Sequence, residues 1–385
     1  MTVISFFTAA GFSVSLPFLS LYLYTQRGLS ATLVGVVILV SGLCSAASQM
    51  FAGLLADRMG RRPLLLAVTT ATMCLYGVLA ALIAVSAPVL TIVIAYTVVR
   101  TVMIMMRPAV TSAVVDLTPK ERLTETFGLL RVGQNVGWAA GPAAGGFLAV
   151  ILSYAWLFGF AAGIAAISLV VIFLFFKESF RGTPEEVDVK TMLCAGQDRR
   201  FFVFSGLSLL VFIVSSQLTT SLSVFTVNRA GFSTVEYGFL LTLNGLLVVF
   251  LQYPLTRMTN KVSRPALLSI GAALYGLGYL SMGWVGAYSL AIAAMVVITL
   301  GEMVFSPTTL AVAGELSPKD WRGHYVGFFG LSETLGLSLG PMLGGFLLDR
   351  FTTSGIAVWG VIASLSFLAA FGFQRWAASY RRSST

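Results

Sequence analysis

The sequence predicts an all-α polytopic membrane protein, with twelve transmembrane helices in two pseudo-symmetric bundles of six. Three observations predict it. Only 10% of the 385 residues are charged, 57% are hydrophobic, and the mean hydropathy is +0.91. Soluble domains carry roughly 25% charged residues, so an ordinary globular enzyme is excluded. The apolar residues also gather in long continuous runs, each near the ~20 residues that a bilayer-spanning helix needs, and not in the short alternating segments of a barrel. Finally, the glycine pattern of 133–146 returns at 330–345, which makes the two halves of the chain copies of one plan.

In order, the runs are 3–25, 31–55, 64–86, 89–114, 124–150, 153–176, 201–226, 233–256, 265–285, 288–313, 324–348 and 354–378. The first begins almost at Met1 with no basic leader, so it is expected to be a spanning helix and not a signal peptide. The turn "DRMGRR" (57–62) separates the second and third. The fourth holds Arg100 and Arg107, and the fifth holds Arg131, Gln134 and Asn135. That fifth run also reads "GQNVGWAAGPAAGG", poor helix material in water. In lipid, glycine lets two backbones approach closely, and Pro142 removes a donor and permits a bend.

After the sixth run comes the only long polar stretch, "KESFRGTPEEVDVKTMLCAGQDRR" (177–200), read as a solvated linker. It divides the chain into a bundle over 1–176, the linker over 177–200, and a bundle with a short tail over 201–385. Gln217 falls in the seventh run, Asn244 in the eighth, Glu302 in the tenth and Glu333 in the eleventh. The copies align Asp116 with Glu315, Pro119 with Pro318 and Lys120 with Lys319. Such a six-helix repeat points to a transporter-type fold with its site near the midplane between repeats.

The net charge of +9 is a topology signal, not a nucleic-acid footprint. Of the 24 Lys and Arg, eighteen fall on one side of a twelve-helix arrangement and three (Arg27, Arg229, Arg350) on the other; Arg100, Arg107 and Arg131 stay within the runs. The positive-inside rule then places both termini and the linker in the cytoplasm of a cell-membrane protein. Cys44, Cys74 and Cys194 are scattered, so neither a disulfide framework nor a metal site is expected.

Charges at mid-membrane carry the chemistry, because each costs roughly 2.5–3.5 kcal/mol on insertion scales and is kept for a partner, a cavity or a function. Arg100 and Glu302 sit in equivalent runs of the two halves. With Arg131, Gln134, Asn135, Gln217 and Asn244 they are candidates to line one central cavity. Glu302 is the first candidate for proton coupling and Glu333 the second, since desolvation raises a carboxylate's pKa and a nearby arginine lowers it.

Three motifs resemble the major facilitator superfamily. "GLLADRMGRRP" (53–63) is similar to its loop signature, and "YTVVRTVMIMMRPA" (96–109) to its helix 4 signature, whose arginine would be Arg100. Gly128, Gly137, Gly141-Pro142 and Gly145-Gly146 match the spacing associated with its proton-coupled exporters. Gly327, Gly336, Gly340-Pro341 and Gly344-Gly345 repeat that spacing in the eleventh run. The resemblance covers the whole chain and is closest to the twelve-helix drug–proton antiporter branch.

That resemblance implies a seam of close helix packing between opposite halves, which breaks and re-forms in alternating access. It also implies an inner latch formed by Gly53, Asp57, Arg58, Gly60, Arg61, Arg62 and Asp116. In this picture Asp57 caps a helix of the other half and Arg61 pairs with Asp116. Asn260 and Ser263 replace Asp57 and Gly60 in the second copy, so an asymmetric latch is expected. The first run has no acidic residue, unlike several multidrug antiporters, which weakens a preference for cationic drugs.

The functional expectation is a monomeric secondary transporter exporting hydrophobic or amphiphilic small molecules, driven by a proton gradient and needing no cofactor. Uptake or exchange of a metabolite or lipid is the alternative on the same fold. An intramembrane enzyme is disfavoured by the single histidine, His324, and the lack of an acidic cluster; an ATP-driven pump is disfavoured by the lack of a Walker loop.

Overall fold

The computed structural model describes residues 1–119, 122–178, 195–318 and 322–381, and within them it is helical throughout with no strand. Helices α1 (Thr2–Thr25), α2 (Ala31–Met59), α3 (Arg61–Ala84), α5 (Leu123–Ile151) and α6 (Tyr154–Phe175) coincide with the predicted runs to within a few residues. So do α8 (Thr234–Thr259), α9 (Arg264–Met282), α10 (Tyr288–Leu316), α11 (Arg322–Arg350) and α12 (Gly355–Arg381). Eleven spans among the described residues are long and apolar enough to cross a bilayer. Helix α5 is equally long at 29 residues, but its glycines and its Arg131, Gln134 and Asn135 dilute its hydropathy.

Two runs that read as continuous are broken. Helix α4 consists of Val89–Met103 and Met106–Leu117, with a turn at Ile104 and Met105. Pro108 explains the break, because its ring meets the carbonyl four residues earlier, that of Ile104. Helix α7 consists of Arg199–Ser215 and Ser221–Asn228, joined by a 3-10 turn over Ser216–Thr219. No proline is present there. Instead, the Ser216 hydroxyl (2.9 Å) and the Gln217 amide (2.8 Å) both donate to the Ile213 carbonyl and draw it out of the helical ladder.

The chain forms two compact units. The first comprises Met1–Leu29, Val37–Glu185 and Gly231–Val249; the second comprises Ser30–Val36, Glu186–Ala230 and Phe250–Thr385. The start of α2 therefore packs with the second unit and the first part of α8 with the first. In the first unit, α1 lies against α5 and α6, and α3 against α4 and α6, around a core that includes Ile4, Leu65, Val68, Ala109, Val110 and Ile172. In the second, aromatic rings fill the core: Phe204 stacks on Phe329 at 5.3 Å, and Tyr279 on Trp359 at 5.5 Å. Large apolar residues such as Phe173, Phe175 and Phe250 remain exposed, as lipid-facing residues do, since hydrocarbon does not expel them.

Candidate functional site

The α5 glycines divide between two neighbours according to their place on the helix. Gly133, Gly137, Gly141 and Gly145 recur every four residues and face α1: a Cβ on Gly137 would stand 2.9 Å from Ala10 N, and one on Gly141 would overlap Ser13 Oγ. The Ser13 hydroxyl in turn donates to the Gly137 carbonyl at 3.0 Å. Pro142 and Gly146 occupy another face and meet α8. A Cβ on Gly146 would lie 2.8 Å from Thr234 O, and one on Gly238 would overlap the Pro142 carbonyl. The Ala143 N–H also donates to Thr242 Oγ1 at 3.0 Å. Gly128, the first glycine of the spacing, has open space where a side chain would project.

Helix α11 reproduces this division. Gly336, Gly340 and Gly344 face α7, where a Cβ would meet Phe212, Ser216 and Ser221 respectively. Gly345 meets Ala31 at the start of α2, and Gly35 of α2 meets the Pro341 carbonyl. Thus Ser13 against Gly141 corresponds to Ser216 against Gly340, and Gly238 against Pro142 to Gly35 against Pro341. Gly327, at the start of the series, is half-buried.

One feature of the α2–α11 crossing has no counterpart. Asp349, in the last turn of α11, accepts hydrogen bonds from Ala31 N (3.0 Å), Thr32 N (2.7 Å) and the Thr32 hydroxyl (2.6 Å). A carboxylate there meets the unsatisfied N–H groups and positive end of the α2 dipole. Position 150, its equivalent in α5, is Val150. Helix α8 is closed by its own capping box, with Ser233 and Glu236 bonded reciprocally. Neither Asp349 nor its partner was readable from local sequence, because the pair is formed by residues at opposite ends of the chain.

Two acids, Glu178 and Asp116, hold the end of the turn 57–62. Gly60 has φ +90°, the left-handed region that glycine enters without strain, and α3 starts directly after it. Glu178, at the end of α6, accepts from Arg61 N at 3.0 Å and Arg62 N at 3.1 Å and so caps α3. Arg61 is buried and its Nε is 3.0 Å from Asp116 Oδ2. Arg62 donates to the Phe173 carbonyl at 2.8 Å. In the second copy, Arg264 Nε lies 3.4 Å from Glu315 Oε1, with both side chains over 40% exposed. The surroundings of Gly53, the side chains of Asp57, Arg58 and His324, and all of Cys194, lie outside the described residues.

Among the polar candidates, the first unit brings several together. The Arg100 guanidinium stands over the Phe12 ring at 5.3 Å, and Phe12 lies 5.5 Å from Trp138 of α5. The buried Tyr96 hydroxyl lies near Arg100 and Ser41. Arg131 and Gln134 are exposed and Asn135 is half-buried. On α5 the positions of Arg131, Gln134 and Trp138 follow one another at i, i+3 and i+7, on a sector between the α1-facing glycines and the α8-facing Pro142 and Gly146. The lipid-type sector, with exposed Val132, Val136 and Phe147, is elsewhere on the helix. Asn244 of α8 is buried.

In the second unit, Glu302 and Glu333 are both half-buried, and Glu302 lies within electrostatic reach of the buried Tyr275 phenol. Gln217 departs from its expected place on a cavity wall. It is fully buried, and its amide N–H groups go to the carbonyls of Ile213 and Gly340, both at 2.8 Å. Buried away from water, the amide spends its donors on backbone carbonyls.

Residues 1–341 and 201–382 match the family model described as Major Facilitator Superfamily. The chain is similar to the uncharacterized MFS-type transporter YttB of Bacillus subtilis (strain 168), with 27% identity over 90% of this chain and 87% of the relative. It is also similar to the multidrug resistance protein MdtH of Photorhabdus laumondii, with 25% identity over 88% and 83%. Among solved structures it resembles a POT family transporter in complex with 5-aminolevulinic acid, with a TM-score of 0.82 and 16% identity over 96% of this chain and 93% of that one. At that identity the likeness concerns the fold alone.

Proposed function

Because the chain belongs to the major facilitator superfamily, a family of multi-pass secondary transporters, we propose that it exports hydrophobic or amphiphilic small molecules in exchange for protons. The observation that carries this reading is the paired close crossing, α5 on α8 through Pro142, Gly146 and Gly238, and α2 on α11 through Gly35, Pro341 and Gly345. Crossings this tight hold two helices at one separation, and separating them is an all-or-none event that suits alternating access. With both termini in the cytoplasm, as the charge distribution supports, the crossings lie at the outer face. Asp349 then lies toward that face, and the Arg61–Asp116 pair belongs to the inner face.

The full exporter-type spacing in α5 and the name of the MdtH relative support efflux. A relative from Planococcus maritimus described as a Na(+), Li(+), K(+)/H(+) antiporter, 24% identical, supports proton exchange. Arg100, Phe12, Trp138, Arg131 and Gln134 form the substrate wall in the first unit. Glu302 carries the coupling proton, with Glu333 as the second carboxylate. Everted membrane vesicles test the reading: energising them should drive accumulation of an amphiphilic dye, and an uncoupler should abolish it. Accumulation unaffected by the uncoupler would sink proton coupling.

A further inference from the structure

Arg100 and Arg131 place two positive charges within the helices of the first unit. Among the described residues of the first unit, neither has a carboxylate at ion-pair distance, whereas Arg61 pairs with Asp116. The partners of Arg100 are a ring face, that of Phe12, and the neighbouring Tyr96 hydroxyl. Those groups accommodate a guanidinium without neutralising it. A charge held at membrane depth without a counter-charge is costly, and the cost is recovered when an anion arrives.

Where the charges point matters as much as their number. Arg131, Gln134 and Trp138 share one stripe of α5, turned away from the sector of Val132, Val136 and Phe147. Arg131 and Trp138 are seven residues apart, about 10 Å along the helix axis. Trp138 touches Phe12, and Phe12 touches Arg100, so the stripe presents cation, amide, indole and phenyl ring, and then a second cation. A guanidinium takes a carboxylate in a bidentate grip that an ammonium or a neutral group cannot supply. The two rings between the arginines suit a flat apolar body.

We propose that this stripe is an anion subsite, and that the transported compounds are amphiphiles carrying a carboxylate on an aromatic body, with Arg100 as the anchoring cation. The proposal rests on the transporter reading above and narrows it. It also gives a physical reason for the missing acid in α1: a carboxylate there would compete for the same arginine.

The test uses the full chain in lipid nanodiscs and three probes with one ring system: 2-naphthoate, 2-naphthamide and 2-naphthylmethylammonium. Naphthoate should bind about tenfold more tightly than either of the others, and Arg100→Gln should erase that preference, lowering naphthoate affinity about tenfold relative to naphthamide affinity. Arg131→Gln should reduce the preference in part, and it reads the same property if Arg100→Gln does not fold. Equal or tighter binding of the ammonium, no binding of naphthoate, or a preference that survives both substitutions would overturn the proposal. Proton-driven movement of the ammonium with naphthoate excluded would remove this substrate class and leave the exporter reading intact. Naphthoate binding with no proton-driven movement would do the reverse.

Discussion

Asp349 closes the first turn of α2, taking both the backbone N–H and the hydroxyl of Thr32, at 2.7 and 2.6 Å. Helix caps of this kind contribute about 0.5–2 kcal/mol. Because this one joins the end of α11 to the start of α2, its energy counts only while the two are in contact. Asp349→Ala should therefore shift the conformational equilibrium by roughly twofold to thirtyfold toward the state with that contact open. Amide hydrogen exchange over residues 31–36 should rise accordingly. Exchange indistinguishable from the native chain would show that Asp349 is no latch.

The glycines of α5 are not equivalent, and substitution should separate them. A Cβ on Gly141 would overlap Ser13 and stand 2.7 Å from Val14 N, whereas one on Gly128 meets nothing within 4 Å. Overpacking a tight interface costs about 1–3 kcal/mol, and a leucine adds far more than a Cβ. Gly141→Leu should abolish transport, while Gly128→Ala should leave both transport and expression near native. Transport retained by Gly141→Leu would show that the α1–α5 contact is dispensable.

Burial should rank the two repeated ion pairs. Arg61 and Asp116 are 9% and 25% exposed, against 43% and 44% for Arg264 and Glu315. Breaking a buried pair costs about 3–5 kcal/mol, an exposed one about 0–1 kcal/mol. Asp116 is itself partly exposed, so Asp116→Asn should fall between these ranges, at about 1–3 kcal/mol. Thermal unfolding of the purified protein should then place Asp116→Asn well below the native chain and Glu315→Gln close to it. The reverse order would contradict the assignment of the inner pair.

The helices were legible in the sequence because hydrocarbon imposes one requirement, a long apolar run, on each of them. The same smooth hydropathy concealed the breaks at Ile104 and Ser216, which arise from a proline ring and from side chains competing for one carbonyl. The glycine spacing gave away close packing but not the division between α1 and α8, since that depends on which neighbour occupies each face. Gln217 was misplaced because polarity alone does not say whether an amide meets water or backbone. Glu178 and Asp349 were not legible at all, because a cap supplied by a distant segment leaves no mark near the helix that it closes.

If a carboxylate of the second unit couples proton movement to substrate movement, Glu302→Gln should separate the two. The variant and the native chain would be reconstituted in proteoliposomes loaded with a pH-sensitive dye. Native protein should move protons when substrate is added. Glu302→Gln should lose this response while still exchanging labelled for unlabelled substrate at equilibrium. Proton movement of native size in both Glu302→Gln and Glu333→Gln would contradict that coupling.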